Sequence, residues 1–73
     1  MHAVYIHIDE ALDAREQARV GKELRRLARV TDVELSPGQP HDLLVEYQPG
    51  QGMPMTILRR LAGLGLHADV MSC

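Results

Sequence analysis

Near the end of the chain, four side chains that could bind a metal ion recur at every second position. The stretch LHADVMSC contains His67, Asp69, Met71 and Cys73, which is the only cysteine. If this stretch is a β-strand, these four side chains share one face of the sheet, because successive strand residues alternate between faces. Imidazole suits Zn(II), Ni(II) or Cu(II), whereas thiolate and thioether suit Cu(I). The alternative interpretation is a row of solvated residues on the outer side of a small sheet.

The first predicted strand could supply the remaining ligands. The stretch HAVYIHID alternates between an apolar face and a face that carries Tyr5 and His7. If His7 lies opposite His67 on an antiparallel neighbouring strand, their Cβ atoms are ~5 Å apart and the two rings could share an ion. In the same register Met1 meets Cys73 at the far end. Two separate metal sites could follow: His7 and His67, with Asp69 as a further ligand, for zinc, nickel or Cu(II), and Met71 and Cys73, with Met1, for Cu(I).

The elements that position these residues follow from periodicity and turn chemistry. Asp13 is a good N-cap for a helix with the sequence DAREQARVGKELRRLAR. Its predicted apolar stripe is Ala14, Ala18, Leu24, Leu27 and Ala28, and we expect a close approach of helix to sheet at Gly21. VTDVELS and DLLVEYQ are predicted strands, separated by the turn residues PGQPH. A second helix begins near Pro54 and ends near Gly65.

The resulting order, βαββαβ, is the split βαβ arrangement of ferredoxin-like folds. The sequence thus predicts one α+β domain over residues 1–73, with a four-stranded antiparallel sheet. Right-handed crossovers place both helices on one face of that sheet. The other face stays open, and we expect Tyr5 and Leu44 to lie there beside Met71. An uncovered apolar patch of this kind favours a weak homodimer or a protein partner.

Three stretches of the chain resemble the heavy-metal-associated domain family, which includes small copper chaperones and a mercury-binding periplasmic protein. LRRLARVTDVELS resembles the end of that family's first helix and its second strand, and LLVEYQPG resembles its third strand. ILRRLAGLGLHADVM resembles its second helix, glycine turn and last strand. The resemblance implies the same βαββαβ scaffold.

The metal loop of that family is degenerate in this chain. The family binds its ion with two cysteines, in a Met-x-Cys-x-x-Cys loop between the first strand and the first helix. Here residues 8–16 read IDEALDARE and contain no cysteine. Asp9, Glu10 and Asp13 are hard oxygen donors, which do not suit Cu(I). The resemblance therefore implies the scaffold without the family's metal loop.

Composition excludes several other functions. The formal net charge of −2 gives no general attraction to nucleic acid or to an anionic membrane. No apolar run approaches the ~18 residues of a transmembrane helix, and the N-terminus lacks the pattern of a secretion signal. We therefore expect a cytoplasmic protein. No spaced catalytic set is recognisable, so we expect no enzymatic activity.

Two functions remain open at this stage. The first is a small soluble domain of the heavy-metal-associated type with a degenerate metal loop. It would act as a protein-interaction module, with Tyr5 and Leu44 as partner-binding residues, or bind a transition metal through the relocated site on strands one and four. The alternative is a metal-independent regulatory or oligomerising module.

Overall fold

The strands and helices form in the predicted order. The computed structural model describes residues 2–36, 38–50 and 52–72. Its elements are β1 (His2–Ile8), α1 (Ala14–Arg25), β2 (Val30–Ser36), β3 (Gln39–Tyr47), α2 (Met55–Gly63) and β4 (Ala68–Ser72). The strands form one antiparallel sheet in the order β2-β3-β1-β4, so β4 lies beside β1. The ferredoxin-like prediction is confirmed.

One face of the sheet forms the core with the two helices. The alternation in β1 and β3 is confirmed, because every second side chain is buried and the residues between are more exposed. Leu12, which precedes the N-cap of α1, joins the same cluster. The buried apolar residues are Val4, Ile6, Ile8, Leu12, Val20, Leu24, Val33, Leu43, Val45, Tyr47, Ile57 and Leu61.

The buried face of α1 differs from the predicted stripe. Asp13 is the N-cap, and its carboxylate accepts a hydrogen bond from the backbone N–H of Glu16 at 2.8 Å. The predicted alanines Ala14, Ala18 and Ala28 are exposed. Leu24 is buried as predicted, and the other buried residues of the helix are Gln17, Val20 and Gly21. These four positions have the spacing of one helix face, but one of them is polar and one is a glycine, so the sequence shows no continuous apolar stripe there.

Gly21 lies where α1 approaches β2, as predicted. A Cβ atom at this position would lie 3.3 Å from Leu35 Cδ1 and 3.0 Å from an Arg25 guanidinium nitrogen. Gln17 supports the same contact, because its side-chain amide donates to the carbonyl oxygen of Ser36 at 2.9 Å. The helix therefore packs on β2 through small and polar groups as well as apolar ones.

Helix α2 ends in a Schellman motif, which directs the chain into β4. Gly65 has a φ of 85°, a left-handed conformation that glycine adopts without steric cost. The N–H of Gly65 donates to the carbonyl of Ala62 at 3.0 Å, and the N–H of Leu66 donates to that of Leu61 at 3.1 Å. The predicted C-terminal glycine is confirmed. No helix within the described residues is long and apolar enough to cross a membrane.

Candidate functional site

The face of the sheet opposite the helices is uncovered, and we call it the open face. Its composition follows from the strand registers and from the burial of the alternate residues. It mixes a few apolar side chains with many carboxylates. Its members are Ala3, Tyr5 and His7 of β1, Asp32 and Glu34 of β2, Asp42, Leu44 and Glu46 of β3, and Asp69 and Met71 of β4.

The apolar centre of the open face is formed by Tyr5, Leu44 and Met71. Tyr5 and Leu44 are directly opposed in the pairing of β1 with β3. Tyr5 is 50% exposed and Met71 is 52% exposed, whereas Leu44 is half-buried. All three side chains line one depression together with Glu34 and Asp42, and Arg25 of α1 also lines it. The sequence predicted this grouping from alternation alone.

Carboxylates surround that apolar centre. Five of the ten acidic residues belong to the open face. On its β2 side, carboxylate oxygens of Asp32, Glu34 and Glu46 all lie within 4.8 Å of one another. Asp32 and Glu46 are opposed across β2 and β3. Like charges placed directly opposite one another destabilise a sheet, so sheet stability does not account for this arrangement.

The cations of the chain all lie elsewhere. We call α1, residues 26–29 and α2 the helical layer. It contains every lysine and arginine, and each of them is exposed. Among the described residues the open face has none, although Arg25 reaches the edge of β2 and lies 3.7 Å from Asp32. The cations of the helical layer are Arg15, Arg19, Lys22, Arg25, Arg26, Arg29, Arg59 and Arg60.

The predicted pairing of His7 with His67 is wrong. In the register of β1 with β4, His7 lies opposite Asp69, and the N–H of Asp9 donates to the carbonyl of His67 at 2.8 Å. From Ile6 to Ile8 the strands are therefore offset by two residues from the assumed register, and an irregularity between Tyr5 and Ile6 places Tyr5 opposite Ser72. The ring nitrogens of His7 lie 3.7 Å from Asp9 and 3.5 Å from Asp42. These two carboxylates approach different nitrogens of the ring, so they do not converge on one ion.

His67 is paired with Glu10 of the loop between β1 and α1. One carboxylate oxygen of Glu10 accepts from the backbone N–H of His67 at 2.8 Å, and the other accepts from Nδ1 at 2.6 Å. The hydrogen bonds from the side chain and then the backbone of His67 lower the pKa of Glu10 to about 2. The same side-chain hydrogen bond, with the charge of Glu10, raises the pKa of His67. Both groups are solvent-accessible.

The described residues do not fit the metal sites that the sequence predicts. His7 and His67 have separate carboxylate partners, and Met71 lies on the open face beside Tyr5. Cys73 and Met1 lie outside the described residues. In the loop between β1 and α1, oxygen donors are the available ligands and Leu12 is turned into the core. Leu12 is 4% exposed, and its N–H donates to the carbonyl of Pro40 at 3.1 Å.

Sequence reasoning missed three features near these residues. Leu12 is a core residue, and its signal is a lone leucine immediately before an N-cap, where an apolar side chain often packs against the helix. The Glu10–His67 pair joins residues 57 positions apart, and no local pattern indicates it. Asp32 lies on the open face because it is adjacent to the buried Val33, and alternation around Val33 is the signal that indicates it.

Comparisons with solved structures agree with the topology. A copper binding domain from HMA7, a P-type ATPase, superposes with a TM-score of 0.86 at 15% identity, over 99% of this chain and 96% of that chain. Oxidized MerP from Ralstonia metallidurans gives a TM-score of 0.84 at 13% identity, over 97% of each chain. The yeast copper transporter domain Ccc2a gives 0.84 at 15% identity, over 97% of this chain and 96% of that chain.

These likenesses establish the fold. No protein-family model matches the chain, and the comparison with curated proteins gives no match. The chain has the fold of the heavy-metal-associated domains, as its three resembling stretches predict. At such low identity the metal sites of those proteins do not carry over with the scaffold.

Proposed function

We propose that this chain is a non-enzymatic protein-interaction domain that binds a basic partner protein through its open face. One observation carries the proposal: Tyr5, Leu44 and Met71 form an uncovered apolar centre within a ring of carboxylates, whereas every lysine and arginine lies outside that face. A scaffold of the heavy-metal-associated type then serves to present a recognition surface.

The composition of the open face supports recognition because it does not favour folding. Aspartate is depleted in strands, and opposed like charges destabilise a sheet. Asp32, Asp42 and Asp69 nevertheless all occur in strands on this face. The same face leaves half of Tyr5 and Met71 in contact with water, which forgoes part of the free energy of burial. A partner that covers the apolar centre and neutralises the carboxylates would remove both costs.

Charge and size define the class of partner. A protein surface with an apolar side chain flanked by lysines or arginines would complement the open face. The whole domain measures 30 × 22 × 19 Å. The area of one face is therefore small compared with the ~800 Å² that each partner buries in a standard interface. We therefore expect a weak complex whose association rate falls as salt screens the charges.

The experiment uses two model peptides of equal length, one with alternating patches of leucine and lysine and one with glutamate in place of lysine. The expected result is that the leucine–lysine peptide shifts amide NMR signals of β1 and β3, and that the glutamate peptide does not. Tyr5→Ser and Leu44→Ser should each weaken this binding. Met55→Ser is the matched control, since Met55 is 52% exposed but lies on α2.

Two results would contradict the proposal. One is equal shifts with both peptides, which would show binding without charge selection. The other is a leucine–lysine peptide whose shifts map to α1 and α2, or whose affinity is unchanged in Tyr5→Ser and Leu44→Ser. Circular dichroism of each variant checks that the fold is retained.

A transition-metal carrier is the second candidate, supported by solved structures of the same fold that are described as copper-binding or copper-transporting domains. Its ligands would be His7, His67, Met71 and Cys73, which the two-residue offset of β4 makes harder to assemble. Titration with Cu(I), Zn(II) and Ni(II) distinguishes it. Saturable shifts at these positions, lost in His67→Ala or Cys73→Ser, would favour a carrier.

A further inference from the structure

The open face and the helical layer carry opposite charges, and this difference supports an inference that rests on the proposed function. We propose that the open face of one copy of this chain binds the helical layer of a second copy, head to tail. The two layers differ in sign: the open face carries five carboxylates, and the helical layer carries eight lysines and arginines with two carboxylates, Glu16 and Glu23.

The apolar groups complement one another in the same way. Three large apolar side chains are exposed among the described residues: Tyr5 and Met71 on the open face, and Met55 on the helical layer. Met55 begins α2, and Arg59 follows one turn later on the same side of the helix. This helix therefore presents a methionine flanked by arginine, which is the chemistry that fits an apolar centre ringed by carboxylates.

The available cation on α2 is Arg59. Arg60 lies 3.7 Å from Glu23, which also lies 3.6 Å from Arg26. Within the described part of the chain, Arg59 has no carboxylate within 4.0 Å. It can therefore form a contact with a carboxylate of another molecule without breaking an internal ion pair. Glu34, exposed on the open face and opposed to Leu44, is the matching anion.

Symmetric pairings are disfavoured by the same distribution. Two open faces in contact would bring five carboxylates against five, and two helical layers would bring eight cations against eight. Like-charge contacts of this kind suppress an interface. The complementary contact uses two different surfaces, so a bound pair still offers one free open face and one free helical layer. Association is then stepwise and does not stop at a dimer unless the copies close into a ring.

The experiment measures the average mass by sedimentation equilibrium over a concentration series, with reductant present because Cys73 could cross-link two chains. At low salt we expect the mass to rise past that of a dimer as concentration increases. At about 0.5 M salt, where charges are screened within a few ångströms, it should return toward the monomer. Arg59→Glu and Glu34→Lys should each weaken association by about tenfold or more.

Mixing the two variants makes the test specific. Arg59→Glu retains an intact open face, and Glu34→Lys retains an intact helical layer. The mixture should therefore associate although neither variant does so alone, which also shows that both are folded. A symmetric dimer of open faces would instead be strengthened in Glu34→Lys alone, and that result would overturn the proposal.

The outcomes also separate this inference from the proposed function. If the chain stays monomeric at every concentration while the leucine–lysine peptide still shifts β1 and β3, the second copy is not the partner and the interaction function stands. If neither the peptide nor a second copy binds, both proposals are wrong. Met55→Ser should weaken self-association and leave peptide binding unchanged, because Met55 lies outside the open face.

Discussion

The two faces of the sheet are built from the same strands and differ in almost every other respect. On the covered face Val4, Ile6 and Val45 are fully buried against the helices. On the open face their neighbours Tyr5 and Leu44 remain partly in water, and carboxylates surround them. The covered face contains the groups that folding requires. The open face contains groups that folding disfavours, and we interpret it as the surface on which selection for recognition acts.

The largest expected effect contrasts adjacent residues of β1. Ile6→Ala should destabilise the domain by about 2–5 kcal/mol, because Ile6 is fully buried and the change leaves a cavity. Tyr5→Ala should cost roughly 0.5–1 kcal/mol, because half of that side chain is already in water. Urea unfolding followed by circular dichroism measures both. Equal losses would mean that the open face is covered within the folded monomer.

A smaller effect tests how closely α1 approaches the covered face. Gly21→Leu should destabilise by roughly 1–3 kcal/mol, because Leu35 already lies 3.3 Å from where a Cβ would be. Gly63→Ala is the matched control, since nothing lies within 4 Å of its added Cβ. That change should stabilise α2 by up to ~1 kcal/mol through helix propensity. A tolerated leucine at position 21 would show that α1 can move away from β2.

Removing a carboxylate from the open face should stabilise the domain, whereas removing a carboxylate from an ion pair should destabilise it. Glu46→Gln should raise the free energy of unfolding by roughly 0.2–1 kcal/mol at low salt, because it removes repulsion from Asp32. Added salt should diminish that gain. Glu23→Gln is the control and should slightly destabilise, since Glu23 pairs with Arg26 and Arg60. Destabilisation by Glu46→Gln would indicate that the cluster supports the sheet.

The smallest expected effect tests whether the His67 ring is bound by Glu10 of the loop between β1 and α1. Glu10→Gln should lower the pKa of His67 toward its usual 6.5, measured by NMR titration of the imidazole. In the parent chain Glu10 contributes to the stability of the fold above its unfolded pKa of 4.5, and this contribution is lost as pH falls toward about 2. His67 contributes to the stability of the fold below its unfolded pKa of 6.5, and this contribution is lost as pH rises through its raised pKa in the folded state. The pair therefore stabilises most between pH 4.5 and 6.5, and an unchanged His67 pKa would contradict the contact.

Local patterns determined most of the fold. Alternation in β1 and β3 predicted which residues are buried, because a half-buried strand requires period two. Asp13 and Gly65 marked the start of α1 and the end of α2, because a carboxylate can cap backbone N–H groups and glycine can adopt a positive φ. The grouping of Tyr5 with Leu44 followed from the same alternation. The face of α1 was misassigned because Gln17 and Gly21 do not look like core residues.

The register of β4 was decided only by the tertiary structure. From Ile6 to Ile8 the offset of two residues leaves the side chains on their predicted faces, so the pattern of LHADVMSC is equally compatible with His7 opposite His67 and with His7 opposite Asp69. Contacts distant in sequence distinguish them. The N–H of Asp9 donates to the carbonyl of His67, and the His67 ring binds Glu10. The sequence by itself determined the faces of the strands, and the hydrogen bonds across β1 and β4 decided which residues meet.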